Sequence, residues 1–288
     1  VDFNQGVDAR ILCKDPMFLR ELSSICIKPL RIAFDHLGVK KPYEQAIRHA
    51  RDAGLVELSN YMLYNFHDTP ADLFERMRLN VSLNEELGIR IFSFPMRFQP
   101  TDLPNRSHIG EGWNRYYLRS MQIVLQATHG IVSGSPHFFK RAFGDTYTDF
   151  EDILIRPQHF IFNREWYEHL GGRHEFEDYK SQLGRLTAAQ RLELVSQLSS
   201  VDPRGFRDLA KSCDDKRVSK LLHFYVPISK ADERAIWKKV YETRKDDVAV
   251  EKLPADEQVE DAGLYDDEEG LAPAGMLARH EPEPALVA

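Results

Sequence analysis

Cysteine is scarce in this chain. Its 288 residues hold three, Cys13, Cys26 and Cys213, far apart in sequence. So few and so scattered, they build neither a complete disulfide framework nor a spaced metal site, and a reducing cytoplasm is the default compartment. Long apolar runs are missing too. No stretch approaches the roughly 18 residues that a membrane-spanning helix needs, and no signal peptide opens the chain. There is no phosphate-binding glycine loop, and Gly134-Ser135 in VSGSPHFF does not make a nucleophile elbow. His108, His129, His137 and His159 fall on separate expected elements, which favours surface or supporting positions over a shared metal. An initiating methionine is also absent. Val1-Asp2-Phe3 reads as the inside of a strand, so the chain is expected to be the later part of something longer.

Hydrophobic residues make up 42% of the chain and charged residues 29%, the composition of an ordinary globular protein. The formal net charge of −7 is unevenly spread. Residues 251–288 carry eleven acids against Lys252 and Arg279, a net of −9, which leaves the rest near +2. A body so weakly basic gives no argument for nucleic acid. The acidic stretch is rich in Pro, Ala, Asp and Glu and is expected to be a disordered tail over 249–288.

Ahead of the tail, the first third alternates strand and helix signals. Short strands are expected at Val1–Phe3, Leu30–Phe34, Val56–Tyr64 and Ile89–Phe94. Helices are expected at 16–24 and 42–53, the second stopped by Gly54. A third runs from Pro70 to Leu87, with Thr69 as cap, Asp72 three residues on and Gly88 as stop. Four strands alternating with three helices imply α/β architecture with a parallel sheet and right-handed crossovers. After Pro100 strand signals nearly vanish. Helices are expected at 113–128, 136–143, 147–154, 158–169, 188–198, 203–212, 217–225 and 231–244. The expected organisation is therefore an α/β part over 1–112, a mostly helical extension over 113–248, and the tail.

In parallel α/β folds, sites gather at the C-terminal ends of the strands. Here those ends offer Asn4, Gln5, Asp8 and Arg10; Asp35 and His36; Tyr64, Asn65, His67 and Asp68; and Met96 with Arg97. Each alone is explained by capping and turn chemistry, since Asp and Asn serve those roles. As a set they suit a polar small molecule carrying hydroxyls, an amine and a carboxylate.

The order FNQGVDAR, LRIAFD, AGLVELSNYMLYNFHDTPADLFERM and IRIFSFPMRFQP resembles the later strands of a radical S-adenosylmethionine (SAM) enzyme, over about residues 1–100. That family holds SAM and a [4Fe–4S] cluster in a partial parallel (β/α) barrel of six strands. The resemblance implies that FNQGVDAR is the third strand, approaching SAM, and LRIAFD the fourth, whose end contacts ribose or the amino acid part. YMLYNFHDTPADL occupies the place of the fifth, which packs on adenine, with Leu63 and Asn65 standing where glycines are expected. FSFPMRFQP is similar to the sixth. The implied cofactor-binding residues are Asn4, Gln5, Asp8, Arg10, Asp35, Tyr64, Asn65 and Met96. Arg97 and His67 are the implied substrate contacts, and Trp113 with Tyr116 belongs to the pocket wall or the helical core.

The family's CxxxCxxC motif and Gly-Gly-Glu strand have no match here, so the cluster ligands are expected upstream of Val1 and no metal ligand is assigned on this chain. A complete enzyme of this kind takes one electron from a donor such as a flavodoxin or ferredoxin and abstracts hydrogen from its substrate through a 5′-deoxyadenosyl radical. By itself the chain is expected to be inactive. The competing expectation is a non-catalytic α/β binding module that docks a protein or small-molecule partner.

Overall fold

The computed structural model describes residues 6–25, 27–103 and 107–248. Its centre is a sheet of four parallel strands in chain order: β1 (Val7–Asp8), β2 (Leu30–Ala33), β3 (Glu57–Tyr64) and β4 (Arg90–Arg97). The α/β class with a parallel sheet is thus observed. The strand expected at Val1–Phe3 lies outside the described residues. The first described strand is instead Val7–Asp8, inside what reads as a polar loop, because Val7 pairs with Ile32 and Asp8 with Ala33.

Helices α1 (Ala9–Leu12), α2 (Pro16–Ser24), α3 (Lys40–Asp52) and α4 (Pro70–Leu87) connect these strands. Asp15 caps α2, accepting from the Met17 and Phe18 amides. Thr69 and Asp72 form a reciprocal capping box on α4, and Gly88 ends it with φ 63°. Only residues without Cβ strain take that conformation at low cost, which is why the helix stops there.

Both long crossover helices cover the same side of the sheet. Tyr43 of α3 donates to Asn80 Oδ1 of α4 (2.9 Å) and accepts from Asn60 Nδ2 of β3 (2.7 Å), and Asn80 Nδ2 donates to Ser93 Oγ of β4 (2.8 Å). The Phe34 ring stacks on Tyr43 at 4.2 Å. Alternation along each strand therefore sends Leu30, Ile32, Leu58, Met62 and Ile91 into the helix-covered core, where all are buried. The opposite face carries Arg31, Ser59, Tyr61, Leu63, Phe92 and Phe94. Of these only Ser59 is fully buried.

The outer edge of β4 is not left bare. Ser93 and Val132 exchange both backbone hydrogen bonds, and the Asn84 side chain pairs with both backbone groups of Ile91. Satisfying an edge in this way blocks strand addition.

Among the described residues ten further α-helices follow: α5 (Arg115–Ala127), α6 (Pro136–Phe143), α7 (Tyr147–Ile155), α8 (Gln158–Phe162), α9 (Arg164–His169), α10 (Arg173–Gly184), α11 (Ala188–Ser200), α12 (Phe206–Ser212), α13 (Lys216–Leu222) and α14 (Lys230–Val248). Helix α10 is absent from the sequence expectation, although Phe176, Tyr179 and Leu183 make its buried stripe. The helix expected over 158–169 is two. It breaks at Asn163 (φ −103°, ψ 41°), which donates to the His159 carbonyl and accepts from Trp237 Nε1 at 2.6 Å. One compact unit reaches to Tyr241 and another begins at Glu242; the expected boundary at 112 lies inside the first. Among the described residues no helix is long and apolar enough to cross a membrane. The tail expected over 249–288 lies outside the described residues.

Candidate functional site

The C-terminal ends of β2, β3 and β4 meet residues 98–103 and 107–113, and a buried ion pair ties them together. Arg76, fully buried on α4, donates through Nη2 to Asp68 Oδ2 at 2.6 Å, and through Nη1 to the carbonyls of Phe34 (3.0 Å) and Leu63 (2.9 Å). One guanidinium thus joins the ends of β2 and β3 to the loop after β3. Asp68 Oδ1 accepts from the Phe66 amide and from Trp113 Nε1, both at 3.1 Å. Burial pushes the Asp68 carboxyl up, against the pull of Arg76 and its two other donors. Every polar atom of the pair is engaged, so its role is to hold the rim. Removing one partner would strand the other charge, the case in which such pairs matter most.

Asn65 is the second organising residue. Its backbone has φ 68°, in the left-handed region that asparagine tolerates better than most residues. Fully buried, its Nδ2 donates to the carbonyls of Phe98 (3.2 Å) and His108 (3.0 Å), and its Oδ1 accepts from the Gly110 amide at 2.8 Å. The approach is close enough to need glycine, because a Cβ on Gly110 would lie 2.8 Å from the Phe66 carbonyl oxygen. Arg97 Nη2 also donates to His108 O, at 3.0 Å. Asn65 and Arg97, singled out separately in the sequence, therefore converge on one carbonyl.

Strand register sorts the other expected residues. Asp8, Asp35 and Met96 lie on the open side of the sheet, while Tyr64 lies on the helix-covered side. Asp35 Oδ1 accepts from the Leu63 amide at 3.1 Å. Asp8 caps α1 and pairs with exposed Arg10 at 2.6 Å, and this neighbour holds its carboxyl below the usual range. Met96 is 47% exposed and His67 is exposed beside the Phe66 ring. Tyr64 is buried against Trp113, with ring centres 5.2 Å apart, and burial pushes its hydroxyl up to about 12. Trp113 and Tyr116 are both core residues, Tyr116 donating to the Arg156 carbonyl. Asn4 and Gln5 lie outside the described residues.

Sequence reasoning missed residues on the open side and beside the end of β4. Arg31 lies over the rings of Tyr61 (5.6 Å) and Phe94 (6.0 Å) and donates to Ser59 Oγ at 3.3 Å. A charged side chain in the middle of the apolar strand LRIAF was the available signal. Beside the end of β4, the amide of Gln99 and the Nε2 of His108 are buried with no hydrogen-bond partner among the described residues. The Phe98 ring stands between Phe66 (4.4 Å) and His108 (5.4 Å). Buried polar atoms without partners are uncommon and mark places where a ligand or water completes the bonding. The site thus combines aromatic rings, an unpaired amide, a cation and two carboxylates. By its chemistry such a set suits a ring-bearing polar molecule with an amino acid part. It holds no nucleophile–base pair, and no group of three or more His, Cys, Asp or Glu among the described residues is placed to hold a metal.

Comparison with protein-family models, curated proteins and solved structures gave no match for this chain.

Proposed function

We propose that this chain forms the SAM-facing wall of a radical SAM enzyme, supplying the later strands of its partial barrel. The observation that carries the reading is the sheet itself. Consecutive parallel strands β1 to β4 are covered by crossover helices on one side and open on the other, the layout of a barrel wall rather than a doubly wound sheet. Asn65 adds support: it adopts a glycine-like backbone at a position where the resemblance expects glycine.

The groups on the open side and beside the end of β4 are chemically suited to SAM. The unpaired Gln99 amide offers a donor and an acceptor to an adenine edge, and Phe98 offers it a ring. Arg31 suits the carboxylate of the amino acid part, and Asp35 and Asp8 suit hydroxyls and an ammonium. When bound beside a reducing cluster, SAM supplies hydrogen-atom abstraction; this chain binds and orients it and keeps water from the site. A thiolate-held cluster does not fit the described residues, where Cys13 and Cys213 are free thiols and no metal-binding group forms. Its ligands, and the contact for a flavodoxin or ferredoxin donor, are assigned to residues other than these.

The test is expression together with the sequence encoded upstream of Val1, reconstitution with iron and sulfide without oxygen, and assay for 5′-deoxyadenosine. SAM should bind, and Arg31→Ala and Gln99→Ala should each weaken binding about tenfold, the loss of one good polar contact. The absence of both SAM binding and 5′-deoxyadenosine would overturn the proposal. A second reading, the non-catalytic binding module, is favoured by one observation: Asn65 and Asp68 direct their hydrogen bonds inward. SAM binding without cleavage would support that module.

A further inference from the structure

The geometry points to a second ligand site, in the helical region, for a small uncharged molecule with a ring-sized apolar body and a carbonyl oxygen. Helices α5, α8 and α14, with the segments around Phe206 and Ile228, enclose a half-open cavity of about 330 Å³. That is the lower end of the range for small-molecule pockets. Ile123, Phe162, Phe206 and Ile228 form the apolar part of its wall, and Gln126 adds an amide. The backbone around it is well anchored, since Asn163 holds both the His159 carbonyl and Trp237.

Two polar residues give the cavity a chemical preference. Gln158 lines it, and its Nε2 is buried with no hydrogen-bond partner. A buried N–H without an acceptor costs free energy, which a ligand carbonyl would recover. His159 lines the same cavity beside Tyr167 and Phe160. Burial drives its pKa down to about 4, so at neutral pH the ring is uncharged and offers one donor and one acceptor. Glu233 is the one carboxyl side chain in the lining, and no Lys or Arg lines the cavity. With no cation in the wall and a carboxylate at its edge, the cavity disfavours anions. An amide fits best: its oxygen meets Gln158 and its N–H faces the acceptors.

Benzamide, benzoate and toluene separate these elements. Ligand-observed NMR titrations on the full chain should show saturable benzamide binding, at least about tenfold tighter than benzoate, which brings the same ring with a negative charge. Gln158→Leu should weaken benzamide about fivefold to tenfold while leaving toluene unchanged, the signature of one lost hydrogen bond. Ile228→Trp, which fills the cavity, should abolish binding of all three probes. Ile123→Trp fills it from the opposite wall and replaces Ile228→Trp should that variant fail to fold by circular dichroism. Benzamide binding that does not saturate, matches benzoate, or survives both filling variants would overturn the site.

Discussion

His159 shows how one residue's surroundings become a property of the whole protein. In the unfolded chain its ring ionises near 6.5, and in the folded protein burial lowers that to about 4. Between those values the unfolded chain holds the extra proton. Stability should therefore be full above about pH 6.5, fall as the pH drops toward 4, and level off below. The shift corresponds to about 3 kcal/mol over that window. Urea unfolding at pH 7 and pH 4.5 checks this: His159→Phe should be much less acid-sensitive than the wild type. Parallel losses in both proteins would mean that other groups set the slope. Asp68 and Arg76 teach a related lesson. The sequence marks Asp68 as a strand-end or capping residue, yet it and Arg76 are both buried because each answers the other's hydrogen bonds.

At the scale of elements, the turn after β3 is where local backbone and long-range contact meet. Asn65 does two jobs: it takes the left-handed conformation, and its side chain ties down Phe98, His108 and Gly110. Substitutions separate them. Asn65→Gly keeps the conformation and loses the ties, whereas Asn65→Ala loses both, so alanine should be the more destabilising by about 1 kcal/mol. In either variant the Gly110 amide should lose protection from hydrogen exchange. Unchanged protection at Gly110 would show that the loop is held by something else. The capping box of α4, by contrast, depends on neighbours in sequence, and Thr69, Pro70 and Asp72 announce it in the chain itself.

Across the whole molecule, the sheet and the helical region share one core. Phe74 on α4 is buried between Phe139 of α6 (5.5 Å) and Phe150 of α7 (5.6 Å). Removing that ring should cost about 3–5 kcal/mol, as for other core phenylalanines. With Phe74→Ala, unfolding followed by tryptophan fluorescence and by far-ultraviolet circular dichroism should remain one coincident transition at lower urea. Separated transitions would show that the sheet and the helices fold independently, as a division at residue 112 expects. Packing of this kind is invisible to local reading because its partners lie more than 60 residues apart in the chain.

What the sequence determined by itself is the set of features whose causes are close along the chain. Strands β2, β3 and β4, helix α4 with its cap and glycine stop, the parallel arrangement, and the change to helices after Pro100 were all legible. Periodicity, capping and turn chemistry act over a few residues. The roles of the rim residues were decided only by the tertiary structure. Strand register put Asp8, Asp35 and Met96 on the open side and Tyr64 in the core. Long-range hydrogen bonds turned Asn65 and Asp68 inward and left the Gln99 amide unpaired. A residue's type sets which bonds it is able to make; only the fold brings, or withholds, the partners.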